Sequence, residues 1–123
     1  MFKKIARTLA IGLISTCALL NTALATSSEV IEVATFKLKE GVSVDEFKIL
    51  DSALKRDYIA KQPGYISRES GYDNQEWLVI VHWRSSKDAE ASMQSFMTAA
   101  PAQPFMSKLD ASTMSMKRYR ITK

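Results

Sequence analysis

The chain predicts an α+β domain in the order β-α-β-β-α-β, and three patterns predict it. Runs of alternating β-branched and aromatic residues mark the strands, two segments between them repeat apolar residues at helical spacing, and Gly, Pro, Asn and Asp punctuate the joints.

The first strand is Val30 to Lys39 (VIEVATFKLK), closed by Glu40-Gly41. Its two faces, Val30, Ala34, Phe36, Leu38 and Ile31, Val33, Thr35, Lys37, are both largely apolar at the start, which predicts burial on both sides. Ser43 is a helix N-cap, with Asp45 and Glu46 where carboxylates suit the positive end of the helix. Val44, Phe47, Leu50, Leu54 and Tyr58 then form one stripe to about Lys61, and Pro63-Gly64 stops it. Tyr65 to Tyr72 is a more polar strand, Asp73-Asn74-Gln75 a turn, and Glu76 to Arg84 (EWLVIVHWR) the strongest strand, so the pair reads as a hairpin. Ser85-Ser86 caps a second helix with the stripe Ala89, Met93, Phe96, Met97 and Ala100. Pro101 and Pro104 break it, a short helical turn covers Phe105 to Leu109, and Thr113 to Ile121 is the last strand.

This is the split βαβ order of a ferredoxin-like sandwich, one sheet with both helices on one face. The other face would carry Ile31, Val33, Leu78 and Ile80, and so small a domain has nothing left to cover it. A second copy packing sheet against sheet does so most simply, which predicts a homodimer.

Residues 1–25 read as a cleaved signal peptide: Lys3, Lys4 and Arg7 begin it, Leu9 to Leu20 is mostly apolar, and Ala23-Leu24-Ala25 supplies the small residues of a cleavage site. The expected location is therefore periplasmic or secreted. A membrane anchor is disfavoured, because Ser15, Thr16, Asn21 and Thr22 interrupt a stretch shorter than the roughly 20 apolar residues of a span. Cleavage after Ala25 leaves residues 26–123, a short segment 26–29 followed by one domain at 30–123. It also removes three basic residues, so the net charge of +4 falls to +1 and no nucleic-acid footprint remains. Cys17, the only cysteine, leaves as well, and with it disulfides, thiolate ligands and a Cys nucleophile. Retention of Cys17 as a lipidated first residue is the competing reading, weakened by Thr16 directly before it.

Phe36-Lys37-Leu38-Lys39-Glu40-Gly41 running into Val44-Asp45-Glu46-Phe47, then Gln62-Pro63-Gly64-Tyr65, then Val79 to Ser85 followed by Asp88-Ala89-Glu90-Ala91, resemble the dimeric α+β barrel superfamily. Within it the likeness is to antibiotic biosynthesis monooxygenase (ABM) domains. The resemblance implies cofactor-free oxygenation of polyketide-like aromatics, haem degradation, or no known reaction. In the haem-degrading branch an Asn on the first strand, a Trp ending the third and a His on the second helix build the site. Here those positions hold Ala34, Trp83 and Met93. Two of the three are missing, which disfavours haem degradation and leaves binding of haem or another flat ligand open. The same alignment sets Trp77, Val79, Val81 and Trp83 on the helix-facing side with Ala34, Phe36 and Leu38.

A pocket there, lined by Trp83, Phe36, Phe47, Met93, Phe96 and Met97, would take a small hydrophobic or aromatic molecule, although such stripes usually form plain core. His82, the only histidine, points by strand parity toward the face shared between subunits; imidazole suits proton transfer near neutral pH, with Arg84, Arg68, Glu69 or Asp73 as network partners. Tyr65, just after Pro63-Gly64, offers a hydroxyl at the mouth of the fold. His82, Tyr65 and Arg84 are thus the catalytic candidates. Met114-Ser115-Met116 is a possible Cu(I) motif, but no Met-rich or His-rich tract completes it and core packing is the simpler account. Lys117, Arg118, Arg120 and Lys123 read as a solvated strand face. Phosphate-binding Gly loops, metal-ligand His/Asp clusters and Gly-x-Ser-x-Gly elbows are absent from the sequence, so no cofactor or metal is implied.

Overall fold

A computed structural model describes residues 28–123, so the proposed signal peptide with Cys17 and its cleavage site lies outside the described residues. Strands β1 (Val30–Leu38), β2 (Tyr65–Asp73), β3 (Glu76–Trp83) and β4 (Leu109–Arg120) form one antiparallel sheet in the order β2-β3-β1-β4. Helices α1 (Val44–Asp57), α2 (Ser86–Phe96) and α3 (Gln103–Lys108) cover one face of it. The ferredoxin-like α+β expectation is therefore met. No helix among the described residues is long and apolar enough to cross a membrane.

The caps act as the sequence predicts. The Ser43 side chain accepts from the Glu46 N–H at 3.1 Å, and that of Ser85 accepts from Asp88 N–H at 3.0 Å, each satisfying a donor that the first turn leaves free. Asp45 and Glu46 open α1, and Lys55 and Arg56 close it.

Three boundaries differ from expectation. Helix α1 ends at Asp57 and a 3₁₀ turn, Ile59–Lys61, carries the chain on. There Tyr58 is buried and its hydroxyl donates to the Ser92 carbonyl at 3.2 Å, tying the end of α1 to α2. Helix α2 closes before the prolines rather than at them. Pro101 and Pro104 fall in the first turns of a 3₁₀ segment (Ala100–Ala102) and of α3, where a missing N–H costs nothing. Strand β4 accordingly begins at Leu109, as soon as α3 ends, rather than at Thr113. Its register against β1 breaks between Thr35 and Lys37; Thr113 spans the break, its Oγ1 accepting from Lys37 N–H at 2.9 Å and donating to the Asp110 carbonyl at 2.6 Å.

Alternation sorts the sheet into two faces. Val30, Phe36 and Leu38 of β1 and Trp77, Val79, Val81 and Trp83 of β3 are buried under the helices. Against them Phe47 packs edge-on to Trp77 at 4.8 Å and to Phe36 at 5.8 Å, and Phe105 to Phe36 at 5.6 Å. Ile31, Val33, Leu78, Ile80 and His82 lie on the opposite face, half-buried.

Gly64 makes the turn into β2 at φ +80°, its carbonyl accepts from Arg84 N–H at 2.8 Å, and a Cβ there would collide with the Asp88 side chain. A Gly64→Ala substitution combines a left-handed backbone with that collision and is expected to cost roughly 1–3 kcal/mol, read from the midpoint of urea unfolding.

Candidate functional site

Between the helix-facing side of the sheet and the helices lies a cavity of about 90 Å³ with an almost wholly apolar wall. Strand alternation accounts for its position. Glu32, Ala34 and Phe36 of β1 and Val79, Val81 and Trp83 of β3 supply the floor, and Ala34 has no side chain long enough to fill the space between its larger neighbours. Leu54 and Ile59 border it from α1 and the turn after it, Met93, Phe96 and Met97 from α2, Phe105 and Met106 from α3, and Met114 and Met116 from β4.

Two charged side chains interrupt that wall, and each is paired. Glu32, 7 % exposed, stands opposite Arg118 in the sheet, and Arg118 Nε donates to Glu32 Oε2 at 2.6 Å. Arg68, 5 % exposed, donates through its two terminal nitrogens to Asp51 of α1, at 3.0 Å to Oδ2 and 2.6 Å to Oδ1. The Ser70 hydroxyl donates to the same carboxylate at 2.7 Å, so both oxygens of Asp51 are occupied. Two donors of the wall residues remain unused: Arg68 Nε and Trp83 Nε1 are buried with no hydrogen-bond partner. A buried N–H left unpaired is costly, and an acceptor on a bound molecule would remove that cost.

Arg68 departs from its expected place beside His82. A bulge between Tyr65 and Ser67 sets Ser67, not Arg68, opposite His82, and one extra residue reverses the faces of everything that follows. Arg68 thereby turns toward the helices and meets Asp51. The sequence did hold a signal for this pair, since Asp51 is an acidic residue inside the apolar stripe between Phe47 and Leu54. Glu32 could have been found likewise, on the inward parity of β1.

Of the residues predicted for the pocket, Trp83, Phe36, Met93, Phe96 and Met97 line the cavity. Phe47 does not: it is fully buried in the aromatic cluster against Trp77. Met97, expected in the buried stripe of α2, is 60 % exposed and borders the cavity at its edge. The three catalytic candidates are not brought together there. Tyr65 packs edge-on against Trp83 at 6.2 Å without entering the wall, His82 stands on the opposite face between Ile31 and Ser67, and Arg84 is exposed just beyond β3. Asp57 and Asp110 have carboxyls held below the usual range, the first by a hydrogen bond from Arg56 and the second by the Ser112 hydroxyl, and neither borders the cavity.

No family model matches the sequence, and no curated protein does either. Solved structures match through the fold. SnoaB, a cofactor-independent oxygenase from Streptomyces nogalater, in a point-mutant form, superposes with a TM-score of 0.62 at 15 % identity, over 79 % of this chain and 96 % of that one. A candidate antibiotic biosynthesis monooxygenase from Chloroflexus aurantiacus J-10-fl does so at 0.56 and 12 %, over 78 % and 95 %. The chain has the ABM-type fold. A conserved protein from Methanosarcina mazei Go1 shares it as well, at 0.60 and 15 %, over 81 % and 99 %. At these identities the likeness speaks for architecture, and any activity must be argued from the cavity.

Removing the Asp51 carboxylate strands a buried guanidinium. Asp51→Ala is expected to lose about 3–5 kcal/mol of stability, whereas the double replacement Asp51→Leu with Arg68→Met is expected to lose much less; urea unfolding of the two variants makes the comparison.

Proposed function

We propose that the protein is an exported homodimer whose cavity binds a small aromatic or hydrophobic molecule, with cofactor-independent oxygenation as the reaction open to it. The observation that carries this reading is an apolar cavity whose wall includes one carboxylate and two residues with unpaired donors. Glu32 would accept a proton from a ring hydroxyl or an activated ring CH₂, and Trp83 and Arg68 would donate to a carbonyl. Oxygenation of that kind converts a ring CH₂ to C=O, with O₂ supplying the new oxygen and one water. SnoaB, similar in fold, is a cofactor-independent oxygenase, which supports the choice of reaction.

Size constrains the ligand. About 90 Å³ is less than the roughly 150 Å³ that a benzene-binding cavity offers, so a bicyclic ligand enters only if the edge yields. Met97, Met114 and Met116 form that exposed edge, and unbranched thioethers repack at low cost.

A non-catalytic binding protein is the second reading, favoured by the position of Tyr65, His82 and Arg84 outside the cavity wall. Titration calorimetry with 1-naphthol is expected to show saturable binding that Trp83→Phe weakens roughly three- to tenfold, the loss of one hydrogen bond. Absence of binding by both 1-naphthol and the smaller, monocyclic phenol would overturn the ligand reading. With anthrone, oxygen uptake above the buffer rate would establish oxygenation, and binding without uptake would establish the second reading.

The homodimer rests on the half-buried apolar strip of Ile31, Val33, Leu78 and Ile80, flanked by Ser67 and Glu69 on β2 and Lys117 on β4. Light scattering is expected to report twice the chain mass for the protein and a monomer for Ile80→Lys, because a charge at the centre of such a contact has no partner.

A further inference from the structure

The chain holds six methionines. Met1 lies outside the described residues, and every other one, Met93, Met97, Met106, Met114 and Met116, borders the same cavity. Three elements bring them together. Met93 of α2 and Met97, just past the end of that helix, stand one turn apart, Met106 comes from α3, and Met114 and Met116 flank Ser115 on β4.

Core packing accounts for part of this. Met93 and Met106 pack against the buried cluster as gap-fillers do. It does not account for Met97, Met114 and Met116, which are 60 %, 37 % and 38 % exposed. Nor does strand preference, which favours β-branched and aromatic residues at the two β4 positions. Elsewhere the core is built from Leu, Ile, Val, Ala and aromatic residues.

We propose that this methionine cluster binds a soft monovalent cation, Cu(I), at the cavity mouth. Thioethers are neutral, soft donors that favour Cu(I) and carry little affinity for hard dications. Among the described residues no three His, Cys, Asp or Glu side chains come together to hold a harder ion. Glu32 also borders the cavity, but its carboxylate is a hard donor held by Arg118 through Oε2, so the soft thioethers are the donors that suit Cu(I). A motif that looked incomplete along the chain, Met114-Ser115-Met116, is thus completed across the fold by α2 and α3. The proposal stands on the methionines alone and not on any oxygenation, although they border the same cavity as the proposed aromatic ligand.

Ag(I), a redox-inert stand-in for Cu(I), tests it on the purified protein carrying ¹³C-methyl methionine. The expected result is movement of at least three of the ε-methyl resonances, complete near one equivalent, together with withdrawal of Cu(I) from its bicinchoninate complex. Met114→Leu with Met116→Leu, a volume-conserving pair, is expected to weaken binding at least about tenfold. Met97→Leu, a volume-conserving change at a 60 % exposed position, serves as the second variant and is expected to weaken it several-fold. Resonances that do not move, that move without saturating near one equivalent, or that respond unchanged in the variants would overturn the proposal.

Discussion

Taking alternate residues of β1 and β3 out of water is the constraint on which the rest of the structure depends. These are the two central strands, and their inward side carries Val30, Phe36 and Leu38 beside Trp77, Val79, Val81 and Trp83, all buried. Apolar surface of this extent, at about 25 cal/mol per Å², drives the amphipathic helices onto the sheet. Each helix must then present its own stripe downward, which sets where Phe47, Leu54, Ala89 and Phe96 stand. The cavity follows from the same alternation. It opens where the inward position of β1 is Ala34 and where β4, at the sheet edge, keeps its inward residues partly exposed.

Charge inside this layer has to be neutralised locally, and two pairs do it in different ways. Glu32 and Arg118 face each other across neighbouring strands, so sheet register alone brings them together. Asp51 and Arg68 join a helix to the edge strand β2, and with Ser70 they satisfy every carboxylate oxygen. Pairs of this kind contribute little net stability but make wrong arrangements expensive. The Asp51–Arg68 pair therefore specifies how α1 sits on β2, and it leaves Arg68 Nε unpaired in the cavity wall, where the proposed ligand would meet it.

Legibility differed by range. Ser43 and Ser85 as caps, Gly41 and Gly64 at turns, and the inward parity of β3 were readable because each depends on residues within one turn or one strand. Arg68 was not, because its face depends on a bulge that a residue count cannot reveal. Phe47 was assigned to the pocket and lies in the core, since helical spacing says which face is inward and not how deep each position goes. The methionines were scattered over 24 positions of sequence, Met93 to Met116, and only packing gave them a common neighbourhood.

What the sequence determined by itself is the order of strands and helices, the caps between them and the two faces of the central strands, because period-two and period-3.6 patterns are local and each residue carries its own preference. Tertiary structure alone decided which inward positions remain as space, which buried charges meet, and that five methionines border one cavity. Those outcomes require contacts between residues far apart in the chain, and such contacts exist only after the sheet has closed its register and the helices have settled on it.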